Sequence, residues 1–254
     1  MKRNDPLLAE TLRYLGIREK DPDEALAKKA GACLAVLEKA VRPRCVQRFF
    51  PVSAEEDAAT GRYTVTVGND WVIESRDLFR NLEGCSFVVL VACTLGEEAD
   101  RIIRRSQVLS MADTAFYQAA CTALIEAYTD SVNEKIEAEA KARGFVTRPR
   151  YSPGYGDCVL ETQRNFFDRL GVTKAIGITL TEGMLMVPEK SVTAFIGLCP
   201  EEEARPKADP AGARSEAGTA GARQKTDTAG ARPEAEEQKA AGSFESGDID
   251  DDNT

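Results

Sequence analysis

The hydrophobic pattern of the chain begins with a helical period. Asp5-Pro6 is typical of a helix start, and leucines at helical spacing follow it. A second helix is predicted to open at Asp21-Pro22, because apolar residues then recur every three or four positions until Arg42-Pro43. We therefore expect an N-terminal helical segment over residues 1–44.

From Cys45 the period changes to two or to unbroken apolar runs. Four strands are predicted on this pattern, over residues 46–52, 63–67, 71–74 and 87–93. Ser75 occupies the position of a helix N-cap after the third strand. Thr94-Leu95-Gly96 then turns the fourth strand into another helix. A sheet with interspersed helices is the result.

The second half of the body is predicted to hold two helices and two strands. The stretch 112–143 has no internal proline and ends at Gly144, which predicts a long helix. After a loop rich in proline and glycine, we expect a helix at 162–170 and strands at 175–180 and 192–198. Regular alternation of strands and helices is missing, which favours an α+β fold with a mostly antiparallel twisted sheet packed with helices.

After Pro200 the composition changes abruptly. Residues 200–254 are rich in Ala, Gly and charged side chains, and Phe244 and Ile249 are the large apolar exceptions. Such a segment cannot bury enough apolar surface to fold. We therefore expect a disordered acidic tail after a folded domain over residues 45–199.

The most informative feature of the composition is the absence of histidine. Without it the chain offers no Ser-His-Asp or Cys-His pair, no H-E-x-x-H zinc site and no histidine ligand for cobalt. We predict no catalytic residue and no metal site. The remaining polar groups suit the binding and orientation of a reactive cofactor. A net charge of -9 disfavours nucleic-acid partners.

The lengths of the apolar runs and the start of the sequence indicate a cytoplasmic protein. No apolar run approaches the roughly 20 residues needed to span a bilayer, and the N-terminus lacks the apolar region of a signal peptide. The seven cysteines are irregularly spaced without a C-x-x-C pair. We interpret them as reduced thiols, most of them buried, and expect no membrane partner.

One loop, residues 148–158, concentrates unusual chemistry. Two prolines restrict its backbone, Gly154 and Gly156 allow a ligand to approach closely, and arginines and tyrosines supply planar polar groups. From the residues alone two interpretations stay open. The loop is either a ligand-binding loop or a proline-stiffened connector whose tyrosines pack on the core.

The string R-x-x-P-G-Y-x-x-C, formed by Arg150, Pro153, Gly154, Tyr155 and Cys158, resembles a known motif. It is similar to the S-adenosylmethionine-binding loop of the reactivation domain of cobalamin-dependent methionine synthase. Three further matches occur in the family's order, at residues 123–128, 180–182 and 188–192. The resemblance thus covers residues 120–198.

The resemblance implies an activation-domain fold and a role in methionine biosynthesis. The protein would bind S-adenosylmethionine and support reductive methylation of cob(II)alamin. It would thereby reactivate a separate cobalamin-dependent methionine synthase that lacks its own reactivation domain and that holds the cobalamin. The electron would come from a flavodoxin-type reductant. The chain would be a component of a methyltransferase system.

The resemblance also implies roles for particular residues. Glu126 would pair with the ligand's amino group and Arg150 with its carboxylate. Tyr155 would lie near the sulfonium, whose positive charge its ring face favours. Backbone groups around Ser152 and Gly154 would hydrogen-bond the adenine or ribose.

The chain departs from the family motif at one point, and two alternative functions are also compatible with the sequence. Where the long enzymes continue G-Y-P-A-C-P, this chain has Gly156-Asp157 after Tyr155, from which we expect a more flexible exit from the loop. Other functions also remain: a non-catalytic docking module for a cobalamin-binding protein, or a methyltransferase component acting on another corrinoid protein. The last lacks support from a Rossmann glycine fingerprint.

Overall fold

A six-stranded antiparallel sheet forms the centre of the fold in the computed structural model, which describes residues 5–17 and 23–201. The strands are β1 (Arg44–Asp57), β2 (Arg62–Val67), β3 (Trp71–Glu74), β4 (Phe87–Thr94), β5 (Phe145–Thr147) and β8 (Ser191–Pro200). Their order in the sheet is β3-β2-β1-β4-β8-β5, and every neighbouring pair is antiparallel. A separate hairpin pairs β6 (Thr179–Leu180) with β7 (Met186–Val187).

Seven α-helices belong to the described part of the chain, and the predicted α+β class is confirmed. They are α1 (Pro6–Tyr14), α2 (Glu24–Ala40), α3 (Arg76–Leu82), α4 (Glu97–Leu109), α5 (Met111–Ala142), α6 (Gln163–Leu170) and α7 (Val172–Ile176). None of the described helices is long and apolar enough to cross a membrane.

Strand β4 shows how the sheet is buried on both faces. Seven of its eight residues are buried. A strand that is buried on both faces has an unbroken apolar sequence, as β4 does. Alternate side chains enter two different cores because successive residues of a strand point to opposite faces. Val88, Leu90 and Ala92 pack with α3, α6 and α7, whereas Val89, Val91 and Cys93 pack with α2, α4 and α5.

The first of these cores is centred on three aromatic rings. Phe166 of α6 lies edge-on to Phe195 of β8 with centroids 4.6 Å apart, and Trp71 of β3 lies 5.7 Å from each of them. Both phenylalanines are fully buried. This contact holds α6, which follows the 148–158 loop, against the sheet.

Local signals explain where several elements begin. Asp5 accepts a hydrogen bond from Leu7 N and Pro6 opens α1, as predicted. Ser75 caps α3 by accepting from Leu78 N at 3.0 Å, which is also as predicted. The long helix predicted for 112–143 is confirmed as α5.

Other predicted boundaries were wrong. Helix α2 begins at Glu24 with Asp23 as its cap, whereas residues 21 and 22 lie outside the described residues. The strand predicted at 175–180 is shorter, because the helix α7 between Gly171 and Gly177 occupies its first residues. Both glycines adopt the left-handed conformation that ends a helix, and Val172 and Ile176 are buried at helical spacing. The short strands β5 and β7 were not predicted.

The cysteine prediction was partly wrong. Cys85 and Cys199 form a disulfide, although 114 residues separate them in sequence. They meet because the segment before β4 lies beside the end of β8, where Ser86 N donates to Leu198 O. The other five cysteines are free, and four of them are buried.

The domain boundaries at residues 44 and 199 stay predictions. Helices α1 and α2 contribute to the same apolar clusters as α5. The predicted disordered tail lies outside the described residues, apart from its first two positions.

Candidate functional site

The loop 148–158 runs along the edge of the sheet. Arg148 N donates to Gly197 O at 2.8 Å. Tyr151 N donates to Phe195 O at 3.0 Å, and Phe195 N donates back to Tyr151 O at 2.7 Å. These bonds extend the pairing of β5 with β8 into the loop, so its first half has the position of a strand.

The tip of the loop is a tight turn held by its own backbone. Tyr155 N donates to Ser152 O at 3.2 Å, Cys158 N to Tyr155 O at 3.0 Å and Gly154 N to Cys158 O at 2.8 Å. The hydroxyl of Tyr151 donates to Tyr155 O at 2.7 Å. The amide of Gly154 is therefore already used inside the loop, and a ligand would have to meet other backbone groups there.

Asp157 fastens the exit of the loop. Its carboxylate accepts from Ser75 Oγ at 2.5 Å, from Arg76 N at 2.8 Å and from Asp77 N at 3.2 Å, which are groups at the N-terminus of α3. A carboxylate is stabilised there by the free amides and the helix dipole. The expectation of a more flexible exit was wrong, because the extra charge ties the loop to a helix.

Burial raises the pKa of Asp157, but the hydrogen bonds outweigh it. Those from Ser75 and from the amides of Arg76 and Asp77 hold the pKa of this carboxyl below its ordinary value. Gly156 is also required at this point. Its φ is +53°, and a Cβ there would collide with the carboxylate of Asp77.

An ion-pair cluster lies where the loop meets α5. Arg150 Nη2 contacts Asp130 Oδ1 at 2.7 Å and Glu126 Oε2 at 3.4 Å. The two carboxylates are one helical turn apart and therefore share a face of α5. Predicted ligand-binding residues Glu126 and Arg150, which are 24 positions apart in sequence, are thus brought together.

Glu126 is held in a partly desolvated position. Burial raises its pKa, the positive charge of Arg150 lowers it, and the charge of Asp130 raises it, with a raised value as the outcome. Tyr14 of α1 lies in the same neighbourhood, since burial and the charge of Glu126 raise its pKa. Helix α1 therefore belongs to the surroundings of the pair.

The guanidinium of Arg150 is not fully paired. Its Nη1 is shielded from solvent and has no hydrogen-bond partner among the described residues. An unpartnered donor on a buried charged group is costly. An incoming carboxylate would supply the missing acceptor. The cluster has one positive and two negative side chains, so its net charge is negative.

Tyr155 is placed differently from Glu126 and Arg150. Its side chain is 46% exposed, and its ring lies edge-on to Tyr151 with centroids 6.2 Å apart. It thus projects from the loop tip that Ser152 and Gly154 help to shape. Within the described residues no group of His, Cys, Asp or Glu could hold a metal ion.

Part of the chain is similar to one known family of domains, and its fold is similar to that of a solved structure. Residues 121–204 match the family model described as "Vitamin B12 dependent methionine synthase, activation domain". The resemblance to that activation domain is confirmed. A solved structure, "Crystal Structure of the MetH Reactivation Domain bound to AdoHcy", is similar with a TM-score of 0.51 and 18% identity, covering 76% of each chain. At this identity the likeness shows the activation-domain fold. No curated protein matches the chain.

The sequence prediction assigned no role to three polar residues of the segment 121–204. Asp130 was recognisable as the residue one turn after Glu126 on the same helical face. Asp157 could be noticed only as a departure from the motif. Lys190, from the turn before β8, donates to Thr122 Oγ1 at 3.2 Å, and burial lowers its pKa. Thr122 precedes Glu126 by one turn of α5, so Lys190 contacts the same face of this helix as the one that carries Glu126 and Asp130.

Proposed function

We propose that the protein binds S-adenosylmethionine and supports the reductive methylation of cob(II)alamin held by a separate methionine synthase that lacks its own reactivation domain. The observation that carries the proposal is the contact of Glu126 with Arg150 in an activation-domain fold. A similar solved domain is described with AdoHcy bound, and that molecule differs from S-adenosylmethionine by the methyl group.

The charge of the cluster supports a cationic amino-acid ligand. S-adenosylmethionine carries a sulfonium, an ammonium and a carboxylate, and is therefore a net cation. Arg150 with Glu126 and Asp130 is a net anion. The ammonium of the ligand would lie at Glu126 and its carboxylate at Arg150, whose Nη1 has a free donor. Binding would thus satisfy a donor that the protein leaves unpaired.

The raised pKa of Glu126 fits this exchange. Its ionised form is disfavoured by burial, so a ligand ammonium at the carboxylate would stabilise it. Asp130 is more exposed, with 62% of its side chain accessible, and it can remain on Arg150 Nη2. The site would therefore accept the ligand without leaving a buried charge unpaired.

The loop tip supports the second half of the ligand. Carbonyl groups around Ser152 and Gly154 would contact the adenine or ribose, and the exposed ring of Tyr155 would lie near the sulfonium. The sulfonium supplies an activated methyl group. The residues of this chain would only bind it and orient it towards the cobalt of the partner, with the electron from a flavodoxin-type reductant.

Calorimetric titration of S-adenosylmethionine tests the binding step. Arg150→Ala should weaken binding by about 10- to 100-fold, which corresponds to roughly 1.5–3 kcal/mol for a hydrogen-bonded charge. Arg148→Ala is the matched control, because Arg148 lies in the same loop and its side chain donates to Glu83 O, with no ion pair to Glu126. Equal affinity of both variants would contradict the assignment of Arg150.

A second assay separates the proposed function from its alternatives. Methylcobalamin recovery is measured on a methionine synthase lacking the reactivation domain, with reductant and S-adenosylmethionine. Recovery that depends on this protein and on Arg150 is the expected result. Binding to the cobalamin protein without S-adenosylmethionine affinity would instead indicate a docking module. Methylation of a different corrinoid protein only would indicate the other alternative.

A further inference from the structure

Two free cysteines face each other across two adjacent strands of the sheet. Cys45 of β1 and Cys93 of β4 are direct partners in the antiparallel register. Directly opposite residues of such a pair have Cα atoms about 4.5 or 5.5 Å apart and side chains on the same face. A disulfide needs Cα atoms about 4.4–6.8 Å apart, so the pairing of the strands meets this requirement.

The two thiols differ in access, as an attacking and a resolving thiol should. Cys93 is fully buried, whereas Cys45 is only partly buried at the start of its strand. The hydrogen bond with the Cys93 thiol lowers the pKa of Cys45, burial opposes this, and the charge of Lys135 adds to the lowering. The same hydrogen bond and burial raise the pKa of Cys93.

The remaining free cysteines lack this combination. Cys33, Cys121 and Cys158 are buried, and burial raises the pKa of each thiol. A thiolate is the reactive form of cysteine, so an oxidant should meet Cys45 first. Cys93 is then the thiol placed directly opposite the modified sulfur.

We propose that Cys45 and Cys93 are a modification site at which a low-molecular-weight disulfide converts the cross-strand dithiol into a disulfide. The Cys45 thiolate attacks one sulfur of the reagent, breaks its S–S bond and releases one thiolate. Cys93 then loses its proton, attacks the sulfur of Cys45 and releases the second thiolate. The protein loses two electrons and two protons, and the reagent becomes two thiols.

Oxidised glutathione is the probe for this site. The full chain, after mild reduction, is incubated with the probe, digested and mapped by mass spectrometry, so that the Cys85–Cys199 crosslink is counted separately. The expected product links the peptides of Cys45 and Cys93. Added dithiothreitol should restore both thiols.

Three variants make the test decisive. Cys93→Ser should trap one glutathione on Cys45, and Cys45→Ser should take up none at either position. Cys33→Ser is the matched control and should behave like the unchanged chain. Because Cys93 is buried, circular dichroism is used to verify that the Cys93→Ser variant folds. The Cys45→Ser variant tests the same proposal independently, because Cys45 is only partly buried. The proposal is overturned if Cys33, Cys121 or Cys158 reacts first, or if glutathione stays on Cys45 although Cys93 is present.

Discussion

Asp157→Ala removes the carboxylate that holds the loop 148–158 against α3. The substitution deletes acceptors for the amides of Arg76 and Asp77 and for the hydroxyl of Ser75. Ser75 keeps its own bond from Leu78 N, so the helix retains one cap. We expect α3 to remain folded but the protein to be less stable, with a looser exit from the loop.

The magnitude follows from the number and exposure of these bonds. Loss of a helix N-cap costs about 0.5–2 kcal/mol. Two amide bonds and one hydroxyl bond to a charged group would place the cost at the upper end, but Asp157 is exposed and water replaces part of what is lost. We therefore expect a destabilisation of about 1–2 kcal/mol, or roughly 2–8 °C in Tm for a domain of this size.

Urea unfolding followed by circular dichroism measures this cost. Asp157→Asn should lose less than Asp157→Ala, because an amide oxygen still accepts and only the charge is gone. Asp168→Ala, at an exposed position of α6, is the matched control and should stay within about 0.5 kcal/mol of the unchanged protein.

The pH dependence gives an independent check on the charge. The pKa of Asp157 is lowered in the folded state, so the charge stabilises the protein above the pKa of about 3.9 in the unfolded chain. That contribution is lost as the pH falls through the lower folded-state pKa. The difference in the free energy of unfolding between Asp157→Asn and the unchanged protein should therefore have its full size near pH 6 and become smaller in acid. An Asp157→Ala protein as stable as the control, or a difference that grows in acid, would refute the reasoning.

Two further predictions concern the same loop and its helix. Glu126→Gln should weaken S-adenosylmethionine binding yet leave the free energy of unfolding at pH 7 equal or higher, because the raised pKa of Glu126 means that its ionisation destabilises the folded state. Calorimetry and urea unfolding measure the two effects, and a clear loss of stability at pH 7 would contradict this sign. Gly156→Ala should destabilise by about 1 kcal/mol or more beyond Gly61→Ala, since both have positive φ but only Gly156 meets neighbouring side chains. Urea midpoints compare the two variants, and equal losses would show that the collision with Asp77 is relieved.

The fold class and most elements were predictable because their signals are local. Each of these signals lies within or next to the element that it predicts. Examples are the apolar run of β4, the helix caps Asp5 and Ser75, and the stretch without proline that forms α5. Strand β5 was missed because its three residues are ordered by pairing with β8, a partner distant in sequence, and by the contact of Phe145 with Phe87. The same reason hides the Cys85–Cys199 disulfide.

The candidate site was predictable in part. The resemblance drew attention to Glu126 and Arg150, and the structure brings them into contact. Two hydrogen bonds of the site join segments that are more than 60 residues apart in sequence. They link Asp157 to Ser75 and Lys190 to Thr122. No local pattern contains that information, because such hydrogen bonds exist only after the sheet has assembled.

The aromatic core described above gives the protein a built-in optical probe. Trp71 is the only tryptophan in the chain, and its ring lies edge-on to Phe166 of α6. The guanidinium of Arg169, from the same helix, lies 5.3 Å from the centre of the indole. Because α6 follows the loop 148–158, any displacement of that helix on addition of a ligand would change the emission of a single fluorophore, without a label.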